Sequence, residues 1–450
     1  MSRQLFGTDG IRGVAGEYPL DRATVFSLGR ALGELAARQA PQPEILLGID
    51  TRESGPWLAR QVAGGLAEHG VRVRFAGVIT TPGVAYLTRT EAFVAGVMIS
   101  ASHNPYQDNG IKVFAHSGYK LDDQQEHKLE QRIFAGLAAR GEPAAHSLRP
   151  DTSLAVRYLD YLAATLPGAV QGTSMVVDCA NGAASELAPR LFERLGAAVE
   201  AVANTPDGRN INLDCGALYP ERVRQRVLAC GADLGVAFDG DADRAVFVSR
   251  TGRVIDGDGV LLMAARWLLR QGRLPGPGGE PLVVATVMSN LGLEQALQAR
   301  GIRLLRAPVG DRYVLEGMLR TGAALGGEPS GHVIFRDYAT TGDGLLTALR
   351  LLEIMRESGA DLDELVAELK VYPQELLNVR VAQRKPLAEL PAVAAAIDAA
   401  QMALGASGRV VVRFSGTEPV ARVMVEGPDR ESVRAHTRRI AEAIQRELGK

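Results

Sequence analysis

The sequence predicts an α/β protein of four domains, three related α/β units followed by a smaller α+β unit, and three observations carry that prediction. Apolar strand-length runs alternate with helical apolar spacing three times along the chain. Beyond Tyr372-Pro373 the alternation stops, and a long Ala-rich helical stretch leads into two short strands. At 450 residues, 46% hydrophobic and 23% charged, the chain is long enough to bury several cores.

In the first unit, residues 1–150, helical spacing runs from Arg22 to Arg38 and breaks at Pro41-Gln42-Pro43. A strand at Glu44–Ile49, a helix from Pro56 to His69, a strand at Val71–Phe75, a helix opening at Pro82 and an apolar run from Phe93 to Ile99 follow. A polar stretch near Gly141 to Asp151 reads as a linker. The second unit, 151–253, repeats the grammar with strands at Met175–Asp178, Ala198–Val202 and Asp233–Phe238 and helices at Ser185–Leu195 and Glu221–Cys230. The third, 254–370, does so after a Gly/Pro-rich surface loop at Gly272–Glu280, with strands at Leu282–Thr286 and Arg303–Arg306 and helices at Leu291–Arg300 and Asp311–Arg320. The fourth, 371–450, holds a helix at Leu387–Leu404, strands at Arg409–Arg413 and Ala421–Val425, and a helix capped by Asp429.

The formal charge of −2 gives no bulk attraction to nucleic acid or to an anionic membrane, so any anion site is local and the ligand is a small molecule. Three cysteines, Cys179, Cys215 and Cys230, lack metal-ligand spacing and point to a reducing compartment; each is expected in or near a core. The first residues lack the apolar core of a signal peptide and no run is long enough to span a bilayer, so a cytoplasmic location is expected, with a homodimer as the candidate assembly.

Function concentrates in loops. The run ending at Ile99 opens into Ser100-Ala101-Ser102-His103-Asn104-Pro105, which places the Ser102 hydroxyl on a tight turn at the carboxyl edge of a sheet. Ser102 is thus a candidate phosphoryl carrier, with His103 and Lys112 beside it as candidates for proton transfer or charge balance. Asp239-Gly240-Asp241-Ala242-Asp243-Arg244 follows an apolar strand, and carboxylates at every second position share one face if the backbone stays extended. Hard oxygen ligands suit Mg²⁺ or Ca²⁺. A calcium loop would need Gly at its sixth position and Glu at its twelfth, where Arg244 and Arg250 stand. Glu328, Ser330 and His332 gather groups that hydrogen-bond sugar hydroxyls. Arg413, Ser415, Gly416, Thr417 and Arg422 surround a turn rich in phosphate donors. In the glycine-rich turn Phe6–Gly13, Arg12 either reaches a phosphate on Ser102 or pairs with Asp9; a Walker lysine is missing. The remaining histidines, His69, His116, His127, His146 and His436, read as surface residues.

These four loops, in this order, resemble those of the α-D-phosphohexomutase family over essentially the whole chain, and Phe6–Gly13 with Ser100–Pro105 is most similar to its glucosamine-phosphate branch. The resemblance implies a four-domain, heart-shaped isomerase with one central cleft. It implies phosphorylated Ser102, one Mg²⁺ per chain held by Ser102, Asp239, Asp241 and Asp243, and Arg12, Lys112 and Arg244 at further cleft positions. Glu328, Ser330 and His332 would read the sugar, and Arg413, Ser415, Gly416, Thr417 and Arg422 would grip the distal phosphate. The implied reaction interconverts glucosamine 6-phosphate and glucosamine 1-phosphate through a bisphosphorylated sugar, on the route to UDP-N-acetylglucosamine and cell-wall precursors. Pro329 departs from the pattern, which has Gln in the glucosamine branch and Met in the glucose and mannose branches, so glucose or mannose phosphates are the alternative substrates. A non-catalytic sugar-phosphate sensor would be expected to lack Ser102 or an aspartate, and a phosphatase would release free phosphate.

Overall fold

The computed structural model describes residues 5–7, 9–138, 146–166, 168, 170–415 and 419–449. Four sheets appear in chain order. The first runs Phe6–Gly7, Gly10–Val14, Asp108–Ala115, Ala95–Ile99, Glu44–Ile49, Arg72–Val78 from edge to edge; the second runs Val254–Ile255, Ala245–Ser249, Leu234–Phe238, Ser174–Asp178, Ala198–Val202. The third runs Arg303–Ala307, Leu282–Thr286, Leu325–Gly327, Val333–Phe335, and the fourth Gln374–Arg380, Val420–Glu426, Arg409–Phe414.

The first three sheets share one plan. Parallel strands carry the helices, and the last parallel strand turns back into an antiparallel neighbour: Ala95–Ile99 into Asp108–Ala115, Leu234–Phe238 into Ala245–Ser249, Leu325–Gly327 into Val333–Phe335. The fourth sheet is wholly antiparallel. These strands are apolar on both faces, as a sheet covered by helices on both sides requires. Helix starts follow local chemistry: Asp21 accepts from Thr24 N–H at 3.0 Å, and Thr80 accepts from Gly83 N–H at 3.1 Å with Pro82 behind it.

The largest apolar cluster extends from Leu46 to Leu369 through the first three units, whereas the fourth is built on its own cluster from Val379 to Leu448. The fourth unit meets the third through polar contacts around the Tyr372-Pro373 connection. Asn290 brackets Tyr372, donating to its carbonyl and accepting from its N–H, both at 2.9 Å, and Arg409 donates to the Ser289 carbonyl at 2.8 Å.

Two expectations are corrected. The helix expected at Leu387–Leu404 starts at Pro391, after a 3-10 turn at Leu387–Glu389, because proline fits the first helical position and interrupts any later one. Cys230 is exposed, at the carboxyl end of the helix Glu221–Cys230; Cys179 and Cys215 are buried. The sequence reading does not mark the strands Gly10–Val14, Asp108–Ala115, Ala245–Ser249, Val333–Phe335 and Gln374–Arg380 or the helices Asp123–Ala138, Thr152–Thr165, Gly257–Arg270 and Gly344–Ser358.

Candidate active site

Each candidate loop is the connection between two adjacent antiparallel strands, so the shared plan delivers one loop per unit. Ser102, Asp239 and Glu328 all lie just beyond the carboxyl end of a parallel strand, where open α/β sheets leave a crevice.

Ser102 is buried and sits at φ +52°, a left-handed conformation uncommon for a residue with a Cβ. Its N–H donates to Ser100 Oγ at 2.9 Å, and its own hydroxyl donates across the domain boundary to Asp239 Oδ2. His103 Nδ1 lies 3.4 Å from that hydroxyl; burial and the nearby Arg244 and Arg12 guanidinia push the imidazole down to about 4, so it is neutral near pH 7. Arg12 pairs with Asp9 at 2.5 Å, while its other nitrogen reaches the Ser102 loop at Ala101 O (3.4 Å) and Asn104 Oδ1 (3.2 Å).

The three aspartates converge by a route different from the one expected. The segment after Phe238 is a turn, with Ala242 at φ +55°, and winding of the backbone, not extended alternation, brings the carboxylates together. One oxygen of each lies within 4.8 Å of the others, all buried. Lys112, fully buried, spans them from the first unit, 2.9 Å from Asp241 Oδ2, 3.4 Å from Asp243 Oδ2 and 3.2 Å from Asp9 Oδ2. Burial opposes its charge, but Asp241, Asp9 and Asp243 outweigh that and hold the ammonium well above its ordinary pKa. Lys112 is therefore a fixed cation here. Burial, then Asp243 and Asp241, push Asp239 well up, while Lys112, with help from Arg244, overcomes burial to hold Asp243 well down.

Lys112 alone does not satisfy the cluster, since Asp241 Oδ1 and Asp243 Oδ1 are buried without hydrogen-bond partners. Orphaned carboxylate oxygens beside a raised Asp239 are the arrangement a bound cation would relieve, so these residues fit a metal site of hard oxygen ligands.

The third loop packs on the second, Ala245 N–H donating to Gly331 O at 3.1 Å, and on the start of the helix Gly257–Arg270, whose Gly257 N–H donates to Pro329 O at 3.1 Å. Glu328 Oε1 accepts from Gly310 N–H at 3.1 Å, and Ser330 Oγ is buried without a partner. His332 is already engaged. Gly342 N–H donates to its Nε2 at 3.0 Å and its Nδ1 faces Asp243 Oδ1 at 3.6 Å. Burial lowers and Asp243 raises its pKa, with a net rise, yet a nitrogen accepting a backbone N–H carries no proton, and that contact assigns a neutral ring protonated at Nδ1. His332 thus ties the sugar loop to the metal loop. Arg244 lies beside the aspartates, 3.9 Å from Asp239 Oδ2 and 3.8 Å from Asp243 Oδ1. In the fourth unit Arg413 and Arg422 are register partners across two strands and Ser415 is buried; burial and Arg422 lower Arg413. Gly416 and Thr417 lie outside the described residues.

Comparison with known proteins agrees over the full length. Profiles of phosphoglucomutase/phosphomannomutase alpha/beta/alpha domains I, II and III match residues 3–140, 156–252 and 256–372, and that of the C-terminal domain matches 376–443. The chain belongs to the phosphoglucomutase/phosphomannomutase family. It is 60% identical to the phosphoglucosamine mutase of Solibacter usitatus (strain Ellin6076), covering 100% of both chains, and 53% identical to that of Koribacter versatilis (strain Ellin345), covering 99% of this chain and 98% of the relative. A crystal structure of a phosphoglucomutase/phosphomannomutase family protein from Burkholderia thailandensis superposes with a TM-score of 0.79 at 27% identity, covering 98% of this chain and 97% of that one. N-acetylphosphoglucosamine mutase from Aspergillus fumigatus, solved with GlcNAc-6P and magnesium, shares the fold at a TM-score of 0.68 and 20% identity, covering 99% and 96%. The chain is thus a phosphohexomutase, an isomerase, and among its described residues no helix is long and apolar enough to cross a membrane.

The structure adds residues to this phosphohexomutase cleft that the motifs did not show. Lys120 bridges Asp9 to Asp311 at the start of Asp311–Thr321, linking the first and third units, and Thr81 donates to Asp241 Oδ2. Arg52 and Asn212 reach the Ser102 loop. Arg52 lies just past the parallel strand Glu44–Ile49, so inspecting the carboxyl end of every predicted strand would have found it.

Proposed function

We propose that this chain interconverts glucosamine 6-phosphate and glucosamine 1-phosphate through a phosphorylated Ser102. The observation that supports the reading is the hydrogen bond of the Ser102 hydroxyl to Asp239 within the aspartate cluster, where a phosphoryl group on Ser102 would lie beside a bound cation. The two relatives that match the whole chain at 60% and 53% identity bear the corresponding name.

In the first transfer the bond between Ser102 Oγ and phosphorus breaks, a bond from phosphorus to O1 of the 6-phosphate forms, and the O1 proton leaves for a base. In the second the bisphosphorylated sugar, turned in the cleft, gives its O6 phosphoryl back to Ser102 and O6 regains a proton. Mg²⁺, held by Ser102, Asp239, Asp241 and Asp243, would neutralise charge on the transferring phosphoryl group. Arg12 and Lys112 add fixed positive charge beside Ser102, and the neutral His103 suits the role of proton acceptor better than the locked Lys112 ammonium. Glu328, Ser330 and His332 would read sugar hydroxyls, and Arg244 would add positive charge to the substrate site. Arg413, Ser415, Gly416, Thr417 and Arg422 would hold whichever phosphate is not reacting. The reading includes a cytoplasmic location and a homodimer, the latter checked by light scattering.

Pro329 keeps glucose and mannose phosphates as the second reading. Initial rates on glucosamine, glucose and mannose 6-phosphates decide between them: the proposal expects the amino sugar to be fastest, and a faster rate on either neutral sugar overturns the assignment.

A further inference from the structure

Two backbone carbonyls of the Ser102 loop each accept two side-chain donors. Ser102 O accepts from Arg52 Nη2 at 3.1 Å and Asn212 Nδ2 at 2.9 Å; Asn104 O accepts from the same two atoms at 2.6 and 3.1 Å. The donors come from different units. Arg52 belongs to the first, is completely buried and is held by an ion pair to the equally buried Asp50. Asn212 belongs to the second, is 8% exposed, adopts φ +59°, and anchors its own N–H on Ala180 O at 2.9 Å.

The metal loop lies against this cage. A Cβ on Gly240 would come within 2.5 Å of Ser102 O and 2.9 Å of Asn212 Nδ2, so only glycine lets the aspartate turn approach so closely. Ser102 itself stands in a left-handed conformation that its side chain does not favour, so its surroundings must hold it there. Reaction geometry gives that restraint a purpose. The sugar turns over between two transfers while the serine must meet O1 and O6 from the same position, and phosphoryl transfer depends on alignment more than on any single bonding group.

We propose that Arg52 and Asn212 form a two-domain clamp that fixes the carbonyls of Ser102 and Asn104 and thereby aims the Ser102 oxygen in both transfers. They are positioning residues, acting through the loop backbone. The inference rests on the phosphoserine reading above.

Asn212→Asp tests it, because aspartate is isosteric and tolerates the left-handed backbone but replaces a donor with a carboxylate facing two carbonyls. Asn212→Gly keeps the backbone freedom and deletes the donor, and carries the test should the carboxylate prevent folding. With the full-length enzyme in Mg²⁺ and a sugar bisphosphate primer, kcat on glucosamine 6-phosphate is expected to fall about 100-fold in the Asp variant and about 10-fold in the Gly variant, with KM within about twofold of wild type. In single turnover, the phosphorylated variants should transfer phosphate to the sugar more slowly by the same factors. A kcat within twofold of wild type in the folded variants, or a raised KM at unchanged kcat, overturns the clamp. If the phosphorylated wild-type chain itself fails to transfer phosphate to the sugar, it is the phosphoserine reading that falls.

Discussion

Replacing Lys112 by methionine tests the electrostatics of the cleft. The ammonium is 1% exposed and lies 2.9, 3.2 and 3.4 Å from carboxylate oxygens of Asp241, Asp9 and Asp243. At an effective dielectric constant near 20, a contact of about 3 Å is worth roughly 5 kcal/mol of Coulomb attraction, much of it offset by desolvation. Removing one partner of such a buried cluster costs about 3 to 5 kcal/mol, because the carboxylates stay buried and lose their counter-charge. A divalent cation on the same aspartates supplies that charge by another route. The variant should therefore lose about 3 to 5 kcal/mol in EDTA and distinctly less in saturating Mg²⁺. Denaturant titration of both proteins in both buffers reads the difference. Equal stability in EDTA, or the same loss with and without Mg²⁺, would refute the reasoning.

Two further outcomes follow from the same geometry. His103 is held down to about 4 by burial and by Arg244 and Arg12, whereas an unfolded histidine titrates near 6.5, so between those values the unfolded chain takes up a proton that the folded one refuses. Stability conferred by this site is present above about pH 6.5 and is lost as pH falls toward 4; His103→Gln should flatten that part of the curve in urea midpoints at pH 7 and pH 5, and unchanged slopes would count against a neutral His103. At Gly257 a Cβ would lie 1.9 Å from Glu328 O, so Gly257→Ala must displace the sugar loop; it should cost about 1 to 3 kcal/mol and raise KM for the sugar phosphate about tenfold, and an unaltered KM would detach Glu328 from substrate binding.

The sequence made the parallel cores legible because Leu282–Thr286 and Leu234–Phe238 are short apolar runs bounded by turn residues, a pattern that local chemistry decides. It was silent on Gly257–Arg270, whose continuous apolar run Val260–Ala265 is short enough to be indistinguishable from a buried strand. At the site, Ser102, the aspartates and Glu328 stood out because they crowd reactive groups among glycines. Their mutual placement did not, since the Ala242 turn is set by the folded backbone and the hydrogen bonds of Thr81, Lys120 and Asn212 join residues more than a hundred positions apart. His332 shows the difference most clearly: residue type suggests a sugar contact, whereas the Gly342 N–H on its Nε2 and its 3.6 Å approach to Asp243 Oδ1 follow only from the fold.

Transfer of phosphate from Ser102 itself is the measurement that bears most directly on the central claim. The chain, labelled with radioactive phosphate on Ser102, is mixed with one equivalent of unlabelled glucosamine 6-phosphate in Mg²⁺ and quenched after a single turnover. The account predicts label on O1 of glucosamine 1-phosphate and of the bisphosphorylated sugar, and no isomerisation by Ser102→Ala. Label that stays on the protein while product forms, or substantial turnover by that variant, would contradict it.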